Sequence, residues 1–93
     1  MDLGEADEPD YHKKTVRVVF HSLETFADTE KVAKTIKEGN IVFISLRKIK
    51  EKNLAELKQS TTKLNKICID AGSRIAMLEE DWLIVTPRGA EIV

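Results

Sequence analysis

The chain has 93 residues, of which 42% are hydrophobic and 33% are charged, so it is long enough for one globular domain and too short for two of ordinary size. Fifteen basic and sixteen acidic side chains leave a net charge of −1, whereas nucleic-acid-binding domains usually carry a strong basic excess. The longest run without a charge, residues 39–46, is far shorter than the roughly 20 residues of a membrane-spanning helix. The single cysteine, Cys68, excludes an intramolecular disulfide.

The charge is distributed unevenly along the chain. Residues 1–12 carry five acidic side chains and no basic one, residues 13–66 have a net charge of +7, and residues 67–93 have a net charge of −3. The first segment has too few apolar side chains to offset the entropy that it would lose on ordering. We therefore predict a flexible acidic tail or linker over residues 1–14 and one folded domain over residues 15–93.

The first half of the folded part predicts a strand, a helix and a second strand. Residues 16–20 are β-branched and aromatic with one polar interruption, which is typical of a strand. Thr25, with Asp28 three residues later, is suited to begin a helix, and Gly39 is suited to end it. The apolar residues 41–46 do not alternate with polar ones, which indicates a central strand covered on both faces. This order predicts a βαβ unit with parallel strands.

The second half predicts one long helix followed by a hairpin. Residues 47–52 are charged and predict a connection, whereas apolar residues recur at helical spacing over residues 53–71. Residues 74–78 and 82–86 are suited to two strands around an acidic turn, and residues 90–93 to a short last strand.

These elements predict an α/β (α+β) two-layer sandwich, ordered β-α-β-α-β-β-(β), with two helices and a mixed sheet of about five strands. If both helices cover one face of the sheet, the other face stays bare, and a second copy of the chain is its simplest cover. The other possible dimer interface is the apolar face of the second helix, with Leu57, Leu64 and Ile67. We therefore expect a homodimer, and the sequence leaves both surfaces open.

The sequence contains no motif that indicates catalysis or metal binding. His12 and His21 have no second ligand at metal-binding spacing, and Cys68 lies on the apolar side of the second helix. We therefore expect no enzyme, no catalytic residue, no metal and no cofactor. The basic region 47–66 leaves a small nucleic-acid-binding module as an alternative, although aromatic residues are not interleaved with its basic ones. A regulatory domain that binds a small ligand at the strand ends is a further alternative.

The layout and several local motifs resemble the SepF family of cell-division proteins over about residues 16–93. The motifs are, in chain order, Thr25-Phe26 at the start of the first helix, Gly39 at its end, the strand IVFISL (41–46), Gly72-Ser73 after the second helix, and WLIVTP (82–87) before a Val-rich segment. Lys66 stands where many bacterial members have a small residue at a helix contact, which points to a dimeric, archaeal-type member.

The resemblance implies an adaptor that binds the C-terminal tail of FtsZ and tethers the Z-ring to the inner face of the cell membrane at the division site, from the cytoplasm. The family's N-terminal membrane-targeting helix is expected to be absent from this chain, because residues 1–12 are similar to the end of an acidic linker. No nucleic-acid partner is expected on this interpretation.

The resemblance also implies that the FtsZ tail contacts the second helix and the strand that leads into Thr-Pro. On this chain the corresponding residues are Lys63 and Lys66 on the helix and either Trp82 or Leu83 on the strand. Only one of the latter two is expected to face the peptide, because successive residues of a strand point to opposite faces.

Overall fold

The computed structural model describes residues 16–89, and within this range the chain forms a four-stranded sheet and three α-helices. In chain order the elements are β1 (Val18–Ser22), a 3₁₀ turn (Phe26–Asp28), α1 (Thr29–Lys37), β2 (Ile41–Ser45), α2 (Arg47–Lys52), α3 (Leu54–Ala71), β3 (Arg74–Leu78) and β4 (Trp82–Thr86). The sheet has the order β1-β2-β4-β3, with β1 parallel to β2 and the other neighbours antiparallel. The α+β sandwich with a mixed sheet is therefore confirmed.

The charged segment 47–52 forms a helix, so its prediction as a connection was wrong. Ile49 of this helix is fully buried in the core, and this one apolar side chain holds α2 against the rest of the domain. The Lys50 N–H donates to the carbonyl of Leu46 at 2.9 Å, so the first turn of the helix begins immediately after β2.

The first strand begins two residues later than predicted, because its parallel pairing with β2 sets Val18 opposite Ile41. The predicted tail or linker over residues 1–14 and the predicted last strand over residues 90–93 lie outside the described residues. The two hairpin strands have the predicted bounds.

Local polar groups determine where α1 begins. The Asp28 carboxylate accepts the N–H groups of Glu24 at 2.9 Å and Thr25 at 3.0 Å, which fixes the turn before the helix. The hydrogen bond from the Glu24 N–H is the main cause that lowers the pKa of the Asp28 carboxyl below its usual value. Gly39 follows the helix with φ +85°, a conformation that glycine adopts without strain.

The long helix α3 has a polar cap at one end and a glycine at the other. The Asn53 side chain accepts the N–H of Glu56 at 3.0 Å, and Gly72 follows the last turn with φ +73°. None of the helices between residues 16 and 89 combines the length and the apolar character needed to cross a membrane.

The core lies between one face of the sheet and the helices. Leu64 is 0% exposed, and Leu57 and Ile67 are partly buried against the same core. These are the three residues of the dimer interface predicted on the second helix, which is α3 of the structure. Leu64 is fully buried and leaves no surface for a partner chain, whereas Leu57 and Ile67 keep part of their surface exposed. The interface on this helix therefore stays a prediction.

None of the described helices covers the opposite face of the sheet. Phe20, Phe43, Ile84 and Ala76 lie opposite one another in adjacent strands, and they form an uncharged row across the whole sheet. The rings of Phe20 and Phe43 stack with their centroids 5.0 Å apart, and Trp82 meets Phe20 edge-on at 6.4 Å. We call this surface the open sheet face.

Candidate functional site

The outer side of α3 forms one wall of an open groove of about 840 Å³. The groove is lined by Phe26, Ala55, Lys58, Gln59, Thr62, Lys63 and Lys66. Its surface is mainly apolar between the lysines, because the alkyl stems of long basic side chains cover apolar area while their charged ends remain in solvent. We call this surface the α3 groove.

Lys63 connects the three elements around the α3 groove. Its Nζ donates a hydrogen bond to the Glu30 carboxylate of α1 and lies 4.8 Å from the centroid of the Phe26 ring, within the range of a cation–π contact. The hydrogen bond from Lys63 is the main cause that lowers the pKa of the Glu30 carboxyl. The Glu56 carboxylate accepts the N–H of Phe26, which ties the 3₁₀ turn to α3.

The α3 groove can bind a segment that combines an apolar side chain with carboxylates. Phe26 offers a partly exposed aromatic ring, and Lys58, Lys63 and Lys66 place three positive charges around it. Apolar contacts anchor a bound peptide, and complementary charges beside them select its sequence.

The sequence prediction identified Lys63 and Lys66 but missed Phe26 and Lys58. One signal was available, because Lys58, Thr62 and Lys66 are each four residues apart and therefore lie on one helix face. No comparable signal exists for Phe26, whose contact with α3 spans 37 positions to Lys63 and depends on tertiary packing.

The structure separates the two predicted strand residues from the predicted lysines. Leu83 is 5% exposed and belongs to the core beneath the helices, so it has almost no surface for a peptide. Trp82 lies on the open sheet face, on the other side of the sheet from α3. Of the four predicted peptide-binding residues, only Lys63 and Lys66 lie together in the α3 groove.

The open sheet face is the second candidate surface. Its outward positions on β1, β2, β3 and β4 are almost all apolar or hydroxylic, with Arg74 at one corner as the single charged residue among the described strands. Phe20 is 65% exposed on it, which is unusual for a phenylalanine surrounded by other apolar side chains. A contiguous apolar patch of this kind marks an interaction surface.

The basic region 47–66 does not form a single array of free charges. Lys48 pairs with Glu24 at 3.2 Å, Lys50 with Asp81 at 3.4 Å, and Lys63 with Glu30. These pairs reduce the local positive potential, which weakens the alternative of a nucleic-acid-binding module.

A smaller polar cavity of about 320 Å³ lies at the end of β1. It is the place in the structure that corresponds to the alternative of a small-ligand site at the strand ends. His21 forms a 2.9 Å hydrogen bond with Thr35, and the Asp28 carboxylate in the lining already accepts two backbone N–H groups. Across residues 16–89, no three His, Cys, Asp or Glu side chains are grouped to hold a metal ion. Burial raises the pKa of the Cys68 thiol to about 11, which keeps it protonated and unreactive.

The α3 groove and the open sheet face lie on opposite sides of an α+β sandwich, and both have the character of candidate surfaces for binding another protein. The family model described as cell division protein SepF matches residues 18–92 of the chain. The chain therefore belongs to the SepF family of cell-division proteins.

Solved structures support the same fold. The SepF-like protein from Pyrococcus furiosus superposes with a TM-score of 0.76 at 26% identity, covering 87% of this chain and 98% of that one. The SepF-like protein from Archaeoglobus fulgidus gives a TM-score of 0.75 at 26% identity, covering 84% and 93% of the two chains. The cell division protein SepF from Methanobrevibacter smithii, solved in complex with FtsZ-CTD, gives a TM-score of 0.72 at 20% identity, covering 83% of this chain and 96% of that one. No curated protein sequence matches the chain.

Proposed function

We propose that the chain is a non-catalytic adaptor that binds the C-terminal tail of FtsZ and links it to the inner face of the cell membrane, from the cytoplasm. Membership of the SepF family supports this proposal, as does the complex of the Methanobrevibacter smithii protein with FtsZ-CTD. The observation that carries it is the α3 groove, in which three lysines of the helix that was expected to contact the tail lie beside the aromatic ring of Phe26 from the 3₁₀ turn.

The tail is proposed to bind along the α3 groove, with Lys63 and Lys66 facing carboxylates of the peptide and Phe26 contacting one of its apolar side chains. Trp82 is assigned to a different task, because it lies on the open sheet face. This face is proposed to be the homodimer interface, in which the uncharged row containing Phe20 and Phe43 packs against its symmetric copy.

Titration of the chain with the FtsZ tail peptide of the same organism tests the proposal. We expect a dissociation constant in the micromolar range, about −8 kcal/mol, because a short peptide loses conformational entropy when it binds. Lys66→Glu should weaken binding about tenfold, since it reverses a charge at the edge of the groove. Lys34→Glu makes the same charge change on the exposed side of α1 and should have little effect. Absence of binding at millimolar peptide would refute the adaptor function.

The membrane link is proposed to require an N-terminal amphipathic helix, and the composition of residues 1–12 is not that of such a helix. These residues contain five acids, whereas a peripheral helix needs an apolar face and usually basic flanks. We therefore expect the 93-residue chain to stay in the supernatant when anionic vesicles are sedimented at physiological salt, and a version with an added amphipathic helix to sediment. Sedimentation of the 93-residue chain itself would contradict this division of roles.

A further inference from the structure

Glu30 occupies the position that a bound carboxylate would take at the α3 groove. Its own carboxylate accepts a hydrogen bond from Lys63, one of the three lysines that line the groove. The Lys63 side chain is 30% exposed and is held over the Phe26 ring, whereas the Glu30 side chain is 75% exposed. Of the two partners, Glu30 is therefore the one that can turn into solvent while Lys63 stays in place.

The energetics of such a pair allow this exchange. A solvent-exposed ion pair contributes little to stability, because water screens its charges and two flexible side chains lose freedom in forming it, so a competing carboxylate that also gains apolar contacts can displace it. Release of Glu30 needs no backbone movement, because the residue lies in the first turn of α1 and its side chain points outward. The Lys63 ammonium group then exchanges its partner, from the Glu30 carboxylate to a carboxylate of the bound segment.

We propose that Glu30 is an internal competitor: it holds Lys63 in the free protein, and a carboxylate of the FtsZ tail replaces it on binding. This inference rests on the proposed function and adds which kind of peptide segment the α3 groove prefers. The preferred segment carries a carboxylate close to one large apolar side chain, because Lys63 and Phe26 are in direct contact with each other. A segment with only one of the two groups gains too little to displace Glu30.

The removal of the competing charge tests the proposal. Glu30→Gln should tighten binding of the FtsZ tail peptide by about two- to fivefold, the range expected when one exposed ion pair no longer has to be broken. Glu38→Gln removes the same charge at the other end of α1, about two turns away, and should change affinity far less. Calorimetric titration of folded variants, checked by thermal melts, measures both effects.

A double-mutant cycle shows whether Glu30 acts through Lys63. Lys63→Gln should weaken binding, and in that background Glu30→Gln should have no further effect. Replacement of single acidic residues of the peptide by their amides should identify one whose loss abolishes the benefit of Glu30→Gln.

The possible failures are distinguishable. If the unmodified chain does not bind the tail peptide, the proposed function and this inference both fall. If it binds but Lys63→Gln and Phe26→Ala bind equally well, the adaptor function stands and the α3 groove is not the site. If Lys63→Gln weakens binding while Glu30→Gln weakens it too, Glu30 positions Lys63 instead of competing for it, and the inference is overturned.

Discussion

Replacement of Leu83 by alanine should lower the free energy of unfolding by about 2–5 kcal/mol, the usual cost of removing a buried leucine. Leu83 is 5% exposed, lies opposite Ile44 in the sheet and belongs to the core cluster under the helices. For a domain of this size, each kcal/mol corresponds to roughly 4–8 °C in melting temperature. Chemical denaturation and thermal melts followed by circular dichroism measure the loss.

Met77→Ala is the matched control for this substitution. Met77 is the cross-strand neighbour of Leu83 on β3, but it is 61% exposed, so its truncation should cost well under 1 kcal/mol. If Leu83→Ala leaves stability unchanged and weakens peptide binding instead, Leu83 faces the peptide and the core described above is wrong at this position.

A charge placed in the uncharged row of the open sheet face, at Phe20 on the edge strand β1, should convert the proposed dimer into a monomer. In Phe20→Lys, two-fold symmetry puts two ammonium groups into one interface, and both would lose their water without gaining a partner. Light scattering at high micromolar concentration should give twice the chain mass of 10.5 kDa for the unmodified protein and the chain mass itself for the variant. The variant should remain folded, because Phe20 is 65% exposed in the single chain.

Ile69→Lys gives the corresponding control. Ile69 is 68% exposed, almost the same as Phe20, but it lies on α3 and not on the sheet. This variant should stay dimeric. A mass of 10.5 kDa for the unmodified chain would show that the open sheet face is not a self-association surface. Dissociation caused by Ile69→Lys alone would instead move the interface to α3.

Much of the fold could be predicted because its signals are local. Thr25, Asp28 and Gly39 lie within one element and its immediate flanks, and the hairpin strands are separated by a short acidic turn. The helix at 47–52 was missed because it has one buried apolar residue, Ile49, and a single residue shows no periodicity.

The candidate site was predicted only in part because it is assembled across distant segments. Lys63 and Lys66 lie on one predicted helix, so a resemblance could locate them together. The choice between Trp82 and Leu83 required the register of β4 against β2, which sets Leu83 opposite the buried Ile44. Once the register is known, Leu83 must face the core and Trp82 must face away from it, and neither reaches the α3 groove.

The placement of the α3 groove and the open sheet face on opposite sides of the sandwich has a consequence for assembly. In a dimer formed through the sheets, the helical layers are outermost, so the two grooves point away from each other. One dimer would then hold two tails that belong to separate filaments more easily than two neighbouring tails of one filament. Such a dimer would be a bivalent cross-linker, and its avidity for a bundle of filaments would greatly exceed its affinity for a single tail, because the first contact raises the local concentration of the second.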